Sequence, residues 1–107
     1  MSGRLTRSDF ANLRVAKKKV HGALFSLSVF PLPEGRQAAF ACIVAKKEVA
    51  KASTRNSIKR RCREAARSRM RGFTGSLAFV FRAKRAAARA SFEEIKREVD
   101  TLMGRIE

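Results

Sequence analysis

KASTRNSIKRRCREAARSRMR, residues 51–71, is the stretch on which the reading turns: nine basic residues and one acidic residue, Glu64. From about Ala52 to Arg71 the pattern is helical, with Ser53 or Thr54 placed to cap its start and Gly72 placed where a C-terminal cap glycine is wanted. On a wheel of about 100° per residue, Lys59, Arg63, Arg67 and Arg71 follow Arg55 at four-residue steps, each drifting about 40°, with Arg60 on the same side. Ile58, Cys62, Ala65 and Ala66 read as the docking face. The other face then carries a row of cations roughly 6 Å apart along the axis, similar to the spacing of phosphates along an RNA strand. Arginine suits such a row, because its planar fork makes paired charge-assisted bonds to a phosphate and stacks on unpaired bases. Like charges at i,i+4 cost an isolated helix a few tenths of a kcal/mol per pair. A bound polyanion would relieve that repulsion, so a merely solvated basic face is the weaker reading.

Working outward, residues 76–83 alternate with Leu77, Phe79 and Phe81 and read as a strand. Ser91-x-x-Glu94 is a capping box opening a last helix, whose apolar stripe is Phe92, Ile95, Val99, Leu102, Met103 and Ile106. Towards the N-terminus, residues 36–45 are a strand candidate, although alanine there leaves propensity ambiguous. Residues 23–30 alternate cleanly: Ala23, Phe25, Leu27 and Val29 share one face, and Leu24, Ser26, Ser28 and Phe30 share the other. Pro31, Pro33 and Gly35 break that strand, and the short loop favours an antiparallel hairpin. Arg7 to Lys19 reads as a helix, capped by Ser8, with Asp9 at the positive end of its dipole and Phe10 and Leu13 at helical spacing. Helix, strand, strand, helix, strand, helix is an α+β sandwich, with helices packed on a small sheet.

The chain has 107 residues, and 25 Lys and Arg against nine Asp and Glu give a formal charge of +16. One domain spanning residues 1–107 is all that this length and its 45% apolar content support. Such a field favours a polyanionic partner. The imbalance is uneven: residues 1–90 carry 22 basic and four acidic groups, residues 91–107 three and five. The last segment reads as scaffold and the rest as binding surface. No stretch approaches the roughly 20 apolar residues that span a bilayer, and MSGRLTRSDF has no signal-peptide core. A cytoplasmic protein without a membrane partner is expected.

Catalysis by the chain itself has little to draw on. A protein nuclease needs clustered carboxylates for metal ions, or a base beside a nucleophile. Five of the nine acids lie after residue 90, and Asp9, Glu34, Glu48 and Glu64 are scattered. His21 is the only histidine, and Cys42 and Cys62 lack a second pair to complete a metal set. The cysteines read as small buried hydrophobes. No catalytic or metal-ligating residue is assigned.

Arg55–Asn56–Ser57–Ile58–Lys59–Arg60–Arg61–Cys62–Arg63–Glu64 resembles the RNR signature of the bacterial ribonuclease P protein component, usually R-N-R-x-K-R-x-x-R-E. Lys46–Lys47 precede it at the family's spacing, Leu5 with Asp9–Phe10 is similar to its opening helix, and Phe79–Val80–Phe81–Arg82 to its last strand. The resemblance covers nearly all of residues 4–103. Ser57 departs from it by replacing the signature's second arginine, and Arg14 by standing where many members have an aromatic.

The resemblance implies an αβββαβα sandwich on a four-stranded sheet, with a left-handed βαβ crossover against the usual right-handed rule. The residue reading is one strand short of that, and Lys18 to Gly22 is where the missing strand would lie. It also implies a protein subunit that assists a large catalytic RNA in removing the 5′ leader of precursor tRNA. Mg²⁺ would be held mainly by that RNA, and the protein would be monomeric within the holoenzyme. Lys46, Lys47, Arg55, Asn56, Lys59, Arg60, Arg63 and Arg67 would contact the catalytic RNA, with Arg67, like Arg69 and Arg71, giving general electrostatic support. Phe10 and Phe25 would stack leader bases, and Lys17 and Lys18, with Lys19, would hold leader phosphates. A ribosomal or other structural RNA-binding protein shares the charge and fold class. The signature tilts the balance.

Overall fold

The alternation of residues 23–30 decides how the sheet forms, because Phe25, Leu27 and Val29 can be buried together only if Ser26, Ser28 and Phe30 face the other way. In the computed structural model, which describes residues 3–4, 18–71, 73 and 75–106, that is what happens. The elements in chain order are β1 (Gly3–Arg4), β2 (Lys18–His21), β3 (Phe25–Pro31), β4 (Ala39–Ile43), α1 (Ala52–Met70), β5 (Leu77–Ala83), a 3-10 helix (Arg85–Arg89) and α2 (Phe92–Ile106).

The sheet order is β1-β4-β5-β3-β2. Four strands make its body, and the two-residue β1, which the sequence did not announce, extends it in parallel beyond β4. β2 is antiparallel to β3, and β3 to β5, so β5 lies between β3 and β4 and the hairpin expected from residues 23–30 and 36–45 does not form. β4 and β5 are parallel neighbours joined through α1, the βαβ unit that the resemblance implies. β2 is the strand missing from the residue reading, and it lies where the resemblance placed it. Lys18 and Lys19 therefore belong to a strand and not to the end of a helix. The rest of the expected helix over residues 7–19 lies outside the described residues.

Register places whole rows of side chains on each face. Val20, Leu27, Phe81 and Cys42 align across four strands, as do Lys18, Val29, Phe79 and Phe40 in the next row of that face. α1 packs against β4 and α2, and α2 packs against β2 and β3, so both helices close this one face. Phe25, Phe79 and Phe81 are each at most 1% exposed, and burying each side chain contributes about 1.5–3 kcal/mol. Phe25 meets Phe81 edge-on, with centroids 6.5 Å apart.

α2 follows its sequence closely. The Ser91 backbone N–H donates to Glu94 Oε1 at 2.9 Å, and the Glu94 N–H donates to Ser91 Oγ at 3.1 Å. The Ser91 backbone N–H, and then the Ser91 side chain, hold the Glu94 carboxyl below its usual range. Ile95, Val99, Leu102 and Met103 are buried. α1 departs from expectation at its start. It begins at Ala52 behind Lys51, with no side-chain cap, so Ser53 and Thr54 fall inside the first turn instead of before it. Gly72, the expected terminal cap, lies outside the described residues.

Cys62 on α1 is fully buried, and Cys42 on β4 is half-buried. Their sulfurs meet where α1 packs on β4, and both thiols are free. Burial, and then the hydrogen bond with Cys42, push the Cys62 thiol well up from its usual value.

Candidate nucleic-acid interface

The buried face of α1 consists of Ile58, Cys62, Ala65, Ala66 and Met70. A four-residue step overshoots a turn by about 40°, so the basic row does not run parallel to this face but winds away from it. Arg55 starts directly over the apolar seam. Lys59 and Arg63 sit on its flank and are half-buried, while Arg67, with Asn56 and Arg60, reaches the open side and is exposed. The expectation of a separate docking face and cationic face is corrected accordingly: the row starts on the docking face.

Arg55 shows the consequence. Its Nη1 donates to the carbonyl oxygens of Val49 at 3.0 Å and Ala50 at 2.6 Å. One guanidinium nitrogen thus ties the lead-in loop to the first turn of α1, and the residue is half-buried. Arg55 braces the loop, and Asn56 is exposed. That loop holds Lys46 and Lys47, both exposed on a turn closed by the N–H groups of Glu48 and Val49 donating to the Ala45 carbonyl, each at 3.1 Å. The structure therefore brings Lys46, Lys47, Asn56, Arg60 and Arg67 out to solvent, with Lys59 and Arg63 half-exposed beside them. No acidic residue occupies the first turn of α1, and Arg67 and Arg69 lie in the last, where they favour the helix dipole.

The residues expected to hold a leader divide differently. Phe10 and Lys17 lie outside the described residues. Phe25 is 1% exposed inside the core, so a base cannot stack on it in the folded protein, and its expected role is overturned. Lys18 lies in the same row as Val29, and its Nζ donates to the Arg105 carbonyl at 2.9 Å, towards α2. Strand alternation turns both residues to the helix-covered face.

The opposite sheet face carries Lys19, His21, Ser26, Ser28, Phe30 and Arg82. His21, Ser26, Arg82 and Ile43 form one row, and Lys19, Ser28, Val80 and Ala41 the next. Phe30 pairs with Ala78. Ala78 and Val80 are buried on this face, Phe30 is half-buried, and Lys19, His21 and Arg82 are exposed. The alternation of residues 23–30 already separated Phe30 from Phe25. It did not say which of the two faces the helices would cover.

An α+β sheet bearing one strongly cationic helix defines a class, a protein built to dock on a polyanion. Comparison with known proteins supplies the particular family: the Ribonuclease P family model matches residues 4–107, and the chain belongs to that family. Membership implies an RNA partner and a component of the tRNA-processing enzyme. No curated protein sequence matches the chain. Among solved structures, the RNase P protein of Staphylococcus aureus superposes with a TM-score of 0.81 at 18% identity, covering 98% of this chain and 94% of that one. The RNase P protein of Thermotoga maritima gives 0.79 at 24% identity, with 97% of each chain covered. At these identities the likeness is one of fold. Among the described residues no helix is long and apolar enough to cross a membrane.

Proposed function

We propose that this chain is the protein subunit of ribonuclease P, docking on the catalytic RNA through α1 and its lead-in loop while the RNA removes the 5′ leader of precursor tRNA. The observation that carries this reading is the winding row on α1, where Asn56, Arg60 and Arg67 are exposed on the open side and Lys59 and Arg63 are half-exposed on its flank, with Lys46 and Lys47 exposed on the lead-in loop. Guanidinium forks spaced by helical turns suit phosphates, so binding follows backbone and shape more than sequence. Arg55 contributes by fixing the loop.

The leader belongs on the sheet face away from the helices. A single strand there could stack a base on Phe30 and set phosphates against Lys19 and Arg82. Mg²⁺ is held mainly by the RNA. Among the described residues no three His, Cys, Asp or Glu side chains come together as a metal site. The chain works in the cytoplasm as a single domain and a single copy per catalytic RNA, and it cleaves nothing by itself.

Reconstitution tests this. The protein is mixed with its host's ribonuclease P RNA and precursor tRNA at low Mg²⁺, and 5′-leader removal is followed. A strong gain over RNA alone is expected. No gain would leave a structural RNA-binding protein, such as a ribosomal one, as the better reading.

A further inference from the structure

Beside the start of α1 runs an open groove of about 760 Å³ that the signature does not include. One wall is the lead-in loop and first turn, with Glu48, Val49, Ala50, Lys51 and Thr54. The other is the 3-10 helix, with Arg85, Ala86, Ala88 and Arg89. We propose that this groove is a second RNA-backbone site, in which Arg85 and Arg89, with Lys51, hold phosphates of the catalytic RNA where its strand continues past α1. The inference rests on the reading that α1 docks on that RNA.

The 3-10 helix is a rigid support for these arginines. Ala87 is 1% exposed and anchors it in the core. At its leading end the Lys84 N–H donates to the Leu24 carbonyl at 2.7 Å, and Lys84 Nζ donates to the Gly22 carbonyl at 2.6 Å. At its far end Arg61 of α1 reaches the Ala90 carbonyl at 3.4 Å. With Ala87 turned inward, Arg85 and Arg89 are exposed. The facing wall is equally fixed, because Arg55 holds the Val49 and Ala50 carbonyls.

The lining chemistry selects the ligand. Three of the lining side chains are cationic and one, Glu48, is anionic. Short side chains at Ala50, Ala86 and Ala88 leave room for sugar rings. The volume is within the roughly 300–1,000 Å³ of small-ligand sites, but no aromatic ring lines it to stack a base and no Asn or Gln lines it to read one. Such a surface recognises a sugar-phosphate backbone and not a free nucleotide. Lys51 and Thr54 belong to the lead-in and first turn of α1, so the groove continues the signature surface without a gap.

The test compares two double variants of the full chain, Arg85→Ala/Arg89→Ala and Arg60→Ala/Arg63→Ala, for binding to the host's ribonuclease P RNA across a salt series. Circular dichroism confirms that each is folded. The groove variant is expected to bind roughly tenfold more weakly, with a log K against log salt slope shallower by about 1.4–1.8, the contribution of two phosphates. An unchanged affinity and slope for that variant, with the Arg60/Arg63 variant weakened, overturns the groove and leaves the α1 reading standing. If neither variant weakens binding, the α1 reading falls and the groove with it. A loss confined to precursor-tRNA affinity of the assembled holoenzyme also overturns the proposal, because the partner would then be the substrate.

Discussion

Glu98 on α2 accepts the backbone N–H groups of Leu24, at 2.7 Å, and Phe25, at 2.5 Å, through a single carboxylate oxygen. This clamp fixes the β2–β3 turn against the last helix and sets the first core residue of β3. Gly22 makes room for it, since a Cβ there would lie 2.7 Å from the Glu98 carboxyl carbon.

Removing the clamp leaves two amide groups without a partner. Glu98→Ala should lower stability by about 2–4 kcal/mol, read as a lower urea midpoint. Gly22→Ala should also destabilise the wild-type chain, by pushing the carboxylate away, yet cost much less when Glu98 is already alanine. Equal costs of Gly22→Ala in both backgrounds would show that the two residues are not coupled.

Phe25 and Phe30 lie on opposite faces of one strand, and their truncations should separate stability from binding. Phe25→Ala should cost about 3–5 kcal/mol. Phe30→Ala should leave a folded protein whose holoenzyme binds precursor tRNA with a long leader more weakly, while its affinity for leaderless tRNA is unchanged. Affinity and leader dependence unchanged in Phe30→Ala would remove the leader from this face.

Arg55 and Arg60 should respond differently although both belong to the signature. Arg60→Ala should make the salt dependence of RNA binding shallower by about 0.7–0.9, with amide exchange in the lead-in loop unaltered. Arg55→Ala should speed exchange in residues 45–51, because its guanidinium holds the Val49 and Ala50 carbonyls. Unaltered exchange in Arg55→Ala would count against the brace.

The Cys62 thiol is raised by burial and by its hydrogen bond with Cys42. A raised folded pKa means that its contribution to stability is complete below the unfolded thiol value of about 8.5 and is lost as pH rises through the folded value. Stability should decline above about pH 8.5, and Cys62→Ala should flatten that decline. In the native protein Cys62 should also resist iodoacetamide while half-buried Cys42 reacts faster. Equal alkylation rates, followed by mass spectrometry of peptides, would contradict this.

Much of the architecture was legible because it depends on local period. The capping box at Ser91 and the stripe from Ile95 to Met103 define α2 completely, since a 3.6-residue repeat and a reciprocal cap need no distant partner. β3 and β5 were equally clear from alternation. β2 was not, because four residues in a basic run carry too little pattern, and β2 is held in place by pairing with β3. β1, at two residues, exists only through its pairing with β4.

Charge, the signature of Arg55 to Glu64 and the cationic character of α1 came from the sequence alone, because composition and near-neighbour spacing are properties of the chain itself. Which cations face outward was decided only by packing. The 40° drift of each four-residue step becomes meaningful once the sheet fixes where the seam of α1 lies, and that placement turned Arg55 into a brace and left Arg60 and Arg67 free to meet RNA. The same holds for Phe25 and Phe30: alternation separated them, but only the helices, by covering one face of the sheet, determined which ring is core and which is surface.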